Sequence, residues 1–262
     1  MNSEKIILNI TQWLKNYSLK SNTEGYVVGV SGGIDSALTS TLCAKTGLPL
    51  LCLEMPIFQK KNEISRSKKH IEWLKKKFKN VSSKNIDLSD SFDSFRNSID
   101  NSSDEKKTLL ALANTRSRFR MLTLYYYASI RNSIVVGTGN KVEDFGVGFY
   151  TKYGDGGVDI SPIADLFKSE VFKLAKKLNI IDDIIQAKPT DGLWDDGRTD
   201  EDQIGASYNE LEWAMIEMEN GKKAQNFKGR KKEIFKILKK FNKQNLHKIQ
   251  PIPIYKVPEK YK

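Results

Sequence analysis

Cysteine is scarce in this chain: Cys43 and Cys52 are the two present in 262 residues. They form no CxxC pair and suggest no metal-ligand spacing, so they read as two buried thiols in a reducing compartment. Long apolar runs are also missing. None approaches the roughly 20 residues needed to span a bilayer. The opening segment "MNSEKIILNITQWLKNYSLK" carries a charge every few residues and lacks the apolar centre of a signal peptide. It reads as an amphipathic helix with Ile6, Ile7, Ile10, Trp13 and Leu14 on one side. The reading is of a soluble, cytoplasmic protein. Glycine (17) and proline (7) are not in excess, so most of the chain should fold. Its length suits one large α/β domain or two small ones.

Negative charge is in deficit. The formal net charge is +11, which favours polyanionic partners such as nucleotides, RNA, DNA or acidic membranes. Much of the excess sits in "KKKFK" (75–79) and "KGRKKEIFKILKKFNKQ" (228–244), which read as solvated faces of amphipathic helices.

The chain shows no internal repeat. A helix over about 3–19 leads into a strand at Tyr26–Val30, then a helix over about 35–46. "GLPLLCLEMP" reads as a buried strand bounded by Gly47 and Pro56. A basic helix (about 63–79) precedes a short strand at "NID" (85–87), and residues 97–105 are polar and turn-rich. A long helix (about 106–130) is followed by the apolar strand and Gly-rich turn of "SIVVGTGN". Strands separated by helical stretches predict βαβ units. The expected fold is α/β: a doubly wound, mainly parallel, Rossmann-like sheet with helices on both faces. Ligands in such sheets bind at the carboxyl ends of strands, where "GVSGGIDS" (29–36) and "GTGN" (137–140) both fall.

A strand, a Gly-rich turn and a helix present unpaired N–H groups at the positive end of a helix dipole, which suits phosphate. Gly32 and Gly33 permit a tight turn, and Ser31 and Ser36 add hydroxyl donors. The turn lacks a lysine, so it is not GxxxxGK[ST], and it is not GxGxxG. In place of a cation it holds Asp35. An acid beside phosphate makes sense with a metal ion between them, which points to Mg–pyrophosphate. The plainer alternative is a helix start capped by Ser31 with Asp35 in its first turn.

"SGGIDS" resembles the pyrophosphate loop of the N-type ATP pyrophosphatases, which split ATP between its α and β phosphates and adenylate an oxygen of the substrate. "RFRM" (118–121), "GTGNKVE" (137–143), "TKYGDGGVDISPIADLFK" (151–168), "KPTDGLW" (188–194), "TDEDQIGASY" (199–208) and "HK" (247–248) follow in the order and nearly the spacing of the NAD synthetase family. The resemblance covers about residues 5–255. It implies an ATP site at Gly29, Val30, Ser31, Gly32, Gly33, Ile34, Asp35, Ser36, Thr138, Lys168 and Thr190. It implies a deamido-NAD site at Arg118, Lys152, Asp159, His247 and Lys248. Asp35 and Glu143 would hold Mg²⁺, and Asp35 and Lys168 would act in catalysis. Taken singly, these side chains also read as a solvated first-turn charge (Lys168), an outward strand position (Asp159) or a helix face (Arg118, Arg120). Their collinearity favours the functional reading.

Glu143 and Lys152 are nine apart, where eight is the commoner family pattern. The extra residue falls in "DFGVG" (144–148), where a local bulge would absorb it, and whether Asp144 shares the metal role is left open. The resemblance implies two steps. The nicotinate carboxylate of deamido-NAD attacks the α-phosphate of Mg–ATP, giving an NAD-adenylate and pyrophosphate. Ammonia then displaces AMP to give NAD. A single domain over 1–262 without a glutamine amidase domain implies free ammonia as donor, and the family implies a homodimer. Loops near 80–105 and 190–204 are candidate lids. Trp13, Trp73, Trp194 and Trp213 are candidate core or interface residues. Two rivals stand beside this reading: a tRNA-modifying ATP pyrophosphatase, which the charge fits although paired cysteines and an added RNA-binding domain are not seen, and a nucleotide-binding regulator without turnover.

Overall fold

A computed structural model describes residues 1–59, 61–100, 102–187, 189 and 199–262. Four parallel strands make its sheet: β1 (Gly25–Gly29), β2 (Leu50–Glu54), β3 (Val81–Asn85) and β4 (Ser133–Val135), in the order β3-β2-β1-β4. Val27 sits opposite Leu51 on one side and Val135 on the other. The chain therefore winds outward from β1 through β2 to β3, then returns to add β4 on β1's far side. The direction of winding reverses between β1 and β4, and the crevice at such a reversal is where an open α/β sheet takes its ligand.

Alternation along the strands builds two cores, because successive side chains leave a strand on opposite faces. Tyr26, Val28, Val30, Leu50, Cys52 and Ile134 point to the face covered by α1 (Ser3–Lys20), α2 (Ile34–Lys45), α3 (Lys61–Lys77), α6 (Lys168–Lys177) and α7 (Asp182–Ile185). Val27, Leu51, Leu53 and Val135 point to the other face, with α4 (Ser89–Asn97) and α5 (Glu105–Ile130). A third cluster joins α8 (Asp200–Ile204), α9 (Tyr208–Glu219) and α10 (Gly229–Ile249) to a π-helix at Lys141–Val147. Among the described residues no helix is long and apolar enough to cross a membrane.

The doubly wound parallel sheet is as expected, and three local expectations are corrected. The third strand is Val81–Asn85, not the segment at 85–87. It is an edge strand reading "VSSKN", half-exposed and largely polar, so it carries no apolar run to announce it. The stretch 80–105 is not one loop: it contains β3 and α4, whose Phe92 is fully buried. Within 190–204, residues 200–204 form α8, and 190–198 lie outside the described residues. Trp73 packs against the first cluster and Trp213 in the third, Trp13 is 44 % exposed, and Trp194 lies outside the described residues.

Candidate active site

At the end of β1 the chain turns through Val30–Gly33 into α2. Gly32 has φ +82°, a conformation costly for any residue with a Cβ. The N-cap of α2 is Gly33, not Ser31, and it offers no side chain to the first N–H groups of the helix. Those groups, with the dipole behind them, are available to an anion. Ser31 Oγ accepts from Gly33 N at 3.2 Å, and Ser36 Oγ donates to Gly33 O at 3.0 Å while accepting from Ser31 N at 3.2 Å. The two serines thus pin the turn in shape. Ile34 is buried beneath it, and Gly29 closes the strand.

The second strand end belongs to β4. Thr138 follows it, and fully buried Asn140 caps the π-helix by accepting from Val142 N and Glu143 N. A π-helix fits one more residue per turn than an α-helix, and this one covers the segment where the spacing shows an extra residue. A Cβ on Gly139 would overlap the Asp144 carboxylate, so any larger residue here obliges that side chain to move.

Five elements converge between the strand ends: α2, the π-helix, α6, α8 and α9. Lys168, the first residue of α6, is 3 % exposed. Its Nζ donates to Asp35 Oδ2 at 2.6 Å and to Glu143 Oε1 at 2.8 Å. Asn140 Nδ2 donates to Asp35 Oδ1 at 3.1 Å. Tyr208, from α9, donates to Glu143 Oε1 at 2.6 Å, and its ring lies 4.9 Å from Lys168 Nζ. Asp200 Oδ2 is 3.2 Å from the same phenol oxygen.

The charges do not balance. Burial works against the Lys168 cation, but the attraction of Asp35 and Glu143 outweighs it and raises its pKa. Burial likewise raises Glu143, yet Lys168, Tyr208 and Asn140 carry it below the usual carboxylate range. Asp35 ends above that range, because burial and repulsion from Glu143 exceed what one shared ammonium returns. Asp144 is also pushed well up, by burial and then by Glu143, Asp155 and Asp35. Two carboxylates on one lysine leave an excess of negative oxygen donors. That set fits Mg²⁺, a hard cation that takes one or two carboxylates and fills its remaining positions with phosphate oxygens and water. Among the described residues no group of three or more His, Cys, Asp or Glu side chains forms a cage by itself.

A second group lies on α5, the 148–157 segment and α10. Arg118 Nη2 donates to Lys152 O at 3.3 Å, Lys152 Nζ to His247 O at 2.7 Å, and Lys248 Nζ to Gly148 O and Tyr150 O at 2.9 and 2.8 Å. The structure therefore joins Arg118, Lys152, His247 and Lys248. Asp159 is engaged elsewhere, accepting from Tyr125 OH at 2.9 Å and Val135 N at 2.8 Å. Thr190 lies outside the described residues. Sequence reasoning missed Asn140 and Tyr208 as site residues. Asn140 stands in the "GTGN" turn, and Tyr208 follows the Ser207–Glu210 capping box that starts α9.

A family model described as NAD synthase matches residues 6–252. An NH(3)-dependent NAD(+) synthetase of Finegoldia magna is 37 % identical over 223 residues, covering 85 % of this chain and 88 % of the relative. Among solved structures, the NMN synthetase of Francisella tularensis superposes with a TM-score of 0.82 at 30 % identity, covering 99 % of both chains. The NH3-dependent NAD synthetase of Campylobacter jejuni gives 0.78 at 29 % identity, over 98 % of this chain and 100 % of that one.

Proposed function

Because the chain belongs to the NAD synthase family, we propose that it converts deamido-NAD, ATP and ammonia into NAD, AMP and pyrophosphate. The observation that carries this reading is the meeting of Asp35, Glu143 and Lys168 where the β1 and β4 ends adjoin. The α2 N-terminus with Ser31–Ser36 takes the ATP phosphates, and Thr138 and Thr190 complete that site. Asp35 and Glu143 hold Mg²⁺, which when bound neutralises phosphate charge and eases the departure of pyrophosphate. Lys168 turns to the α-phosphate, where negative charge builds as the nicotinate oxygen bonds to phosphorus and the bond to the β-phosphate breaks. Arg118, Lys152, His247 and Lys248 hold the dinucleotide against this centre, the cations meeting its anionic groups, while Asp159 braces the end of β4 through Val135 N. Ammonia then attacks the activated carbonyl and AMP leaves. Water must be kept away from that mixed anhydride.

The chain works as one domain over 1–262, in the cytoplasm, where the buried free thiols Cys43 and Cys52 suit a reducing milieu. Leu122, Tyr126 and Ile130 make an exposed apolar stripe at four-residue spacing on α5, which supports a homodimer.

The likeness to the Francisella tularensis NMN synthetase favours one second reading, in which the amidated substrate is nicotinate mononucleotide. The test incubates the chain with Mg–ATP and ammonium chloride, offering each nucleotide separately, and measures amide product and AMP. NAD with equal AMP from deamido-NAD supports the dinucleotide reading. A higher kcat/KM for the mononucleotide would replace it, and no AMP from either would overturn the reaction class.

A further inference from the structure

Tyr208 is buried, and among the described residues its phenol reaches two acids from different elements. The shorter of its two hydrogen bonds goes to Glu143 Oε1, at 2.6 Å against 3.2 Å to Asp200 Oδ2, and Glu143 Oε1 also accepts from Lys168 Nζ at 2.8 Å. A carboxylate oxygen has two lone-pair sites, so Oε1 is fully used and the capacity to ligate a metal rests with Oε2. The face of the Tyr208 ring meanwhile lies 4.9 Å from the Lys168 ammonium, where the ring quadrupole attracts a cation. One side chain thus steers both a carboxylate and an ammonium of the site, from a helix outside the sheet.

We propose that Tyr208 is a positioning residue for the metal–phosphate step. By holding Glu143 through Oε1 it would leave Oε2 to serve a metal, and by backing Lys168 it would limit where that ammonium can swing. This rests on the proposed role of Glu143 as a metal ligand. When Lys168 leaves Glu143 for phosphate, the Tyr208 hydrogen bond is the contact that keeps the carboxylate oriented. Because Asp200 Oδ2 also lies beside the phenol, α8 and α9 are tied to the loading of the site.

The test uses the full chain with Mn²⁺ as a paramagnetic probe, its binding in the presence of ATP followed by electron paramagnetic resonance. Tyr208→Phe keeps the ring and removes the hydrogen bond, so Mn²⁺ should bind about tenfold more weakly. ATP binding without metal should be unchanged. In Glu143→Gln, Mn²⁺ binding should fall at least as far, and adding Tyr208→Phe to it should have no further effect. Wild-type Mn²⁺ affinity in Glu143→Gln overturns the ligand role itself. A loss in Glu143→Gln with wild-type affinity in Tyr208→Phe, or additive losses in the double variant, overturns only the positioning role. Should Tyr208→Phe fail to fold, 3-fluorotyrosine at position 208 retains the hydroxyl and reports through its ¹⁹F resonance. That resonance should shift on adding Mg²⁺ to the ATP complex of the wild type and not of Glu143→Gln; the same response in both would refute the proposal.

Discussion

The Lys168 ammonium and the Asp35 carboxylate meet at 2.6 Å across 133 residues of sequence, and Glu143 takes the same ammonium from a third segment. The pair is nearly withdrawn from water, with side chains 3 % and 17 % exposed, so removing one partner strands a buried charge.

Lys168→Met should therefore lower stability by about 3–5 kcal/mol, since Asp35 and Glu143 are left facing each other without a counter-charge. Turnover should fall by a factor of about 100 or more. Mg²⁺ should restore part of the lost stability, and should raise the melting temperature of the variant more than that of the wild type. Thermal melts with and without MgCl₂ check this; an equal shift in both proteins would contradict the charge account.

Gly139→Ala should damage the site through crowding. The added methyl overlaps the Asp144 carboxylate, which must swing away or displace the turn. A stability loss of about 1–3 kcal/mol is expected, with a raised KM for ATP. Asp144→Ala makes room, so the double variant should be more stable than the sum of the two single effects allows. Simple additivity in urea unfolding would show that the two residues do not crowd each other.

Ser36→Ala removes the hydroxyl that donates to Gly33 O and accepts from Ser31 N. The loop loses its internal brace, at a cost of about 1–2 kcal/mol. The apparent KM for ATP should rise more than kcat falls, because the N–H groups that take phosphate are no longer held in place. Steady-state kinetics in ATP provide the check.

His70 on α3 gives the fold a predictable acid weakness. It is fully buried, its Nε2 is 3.0 Å from Ser40 Oγ, and burial lowers its pKa from 6.5 to about 4. As pH falls below about 6.5 the unfolded chain takes up the imidazole proton first, while the folded chain resists until about pH 4. Stability contributed by the neutral ring is thus full above pH 6.5 and is lost on acidification, approaching about 3 kcal/mol below pH 4. His70→Gln should remove that part of the slope. The comparison is the stability difference between wild type and variant at pH 7 and pH 5, which should shrink at the lower value.

How much of this was legible in the chain varies with the range of the forces involved. The β1–α2 junction was readable because its chemistry is local: a buried strand, two glycines and an acid lie within eight residues. The π-helix at Lys141–Val147 spans most of the segment in which the spacing to Lys152 is one residue long. β3 was misplaced because an edge strand paired on one side tolerates "VSSKN", which carries no periodic signal. Tyr208 stood inside a recognised motif without a role, since the contact that gives it one reaches 65 residues back to Glu143.

The sequence alone determined much of the local conformation: amphipathic helices from their apolar spacing, the inner strands β1 and β2 and the strand β4 from their apolar runs, and a phosphate-fitting turn from Gly32, Gly33 and Asp35. These follow from backbone sterics and hydrophobic periodicity, which act over a few residues. Only the tertiary structure decided that β4 lies beside β1, and hence that Asp35, Glu143, Lys168 and Tyr208 share one buried cluster. Their charges, protonation and hydrogen bonds arise from desolvation and mutual fields, which exist only once the packed sheet has brought distant segments together.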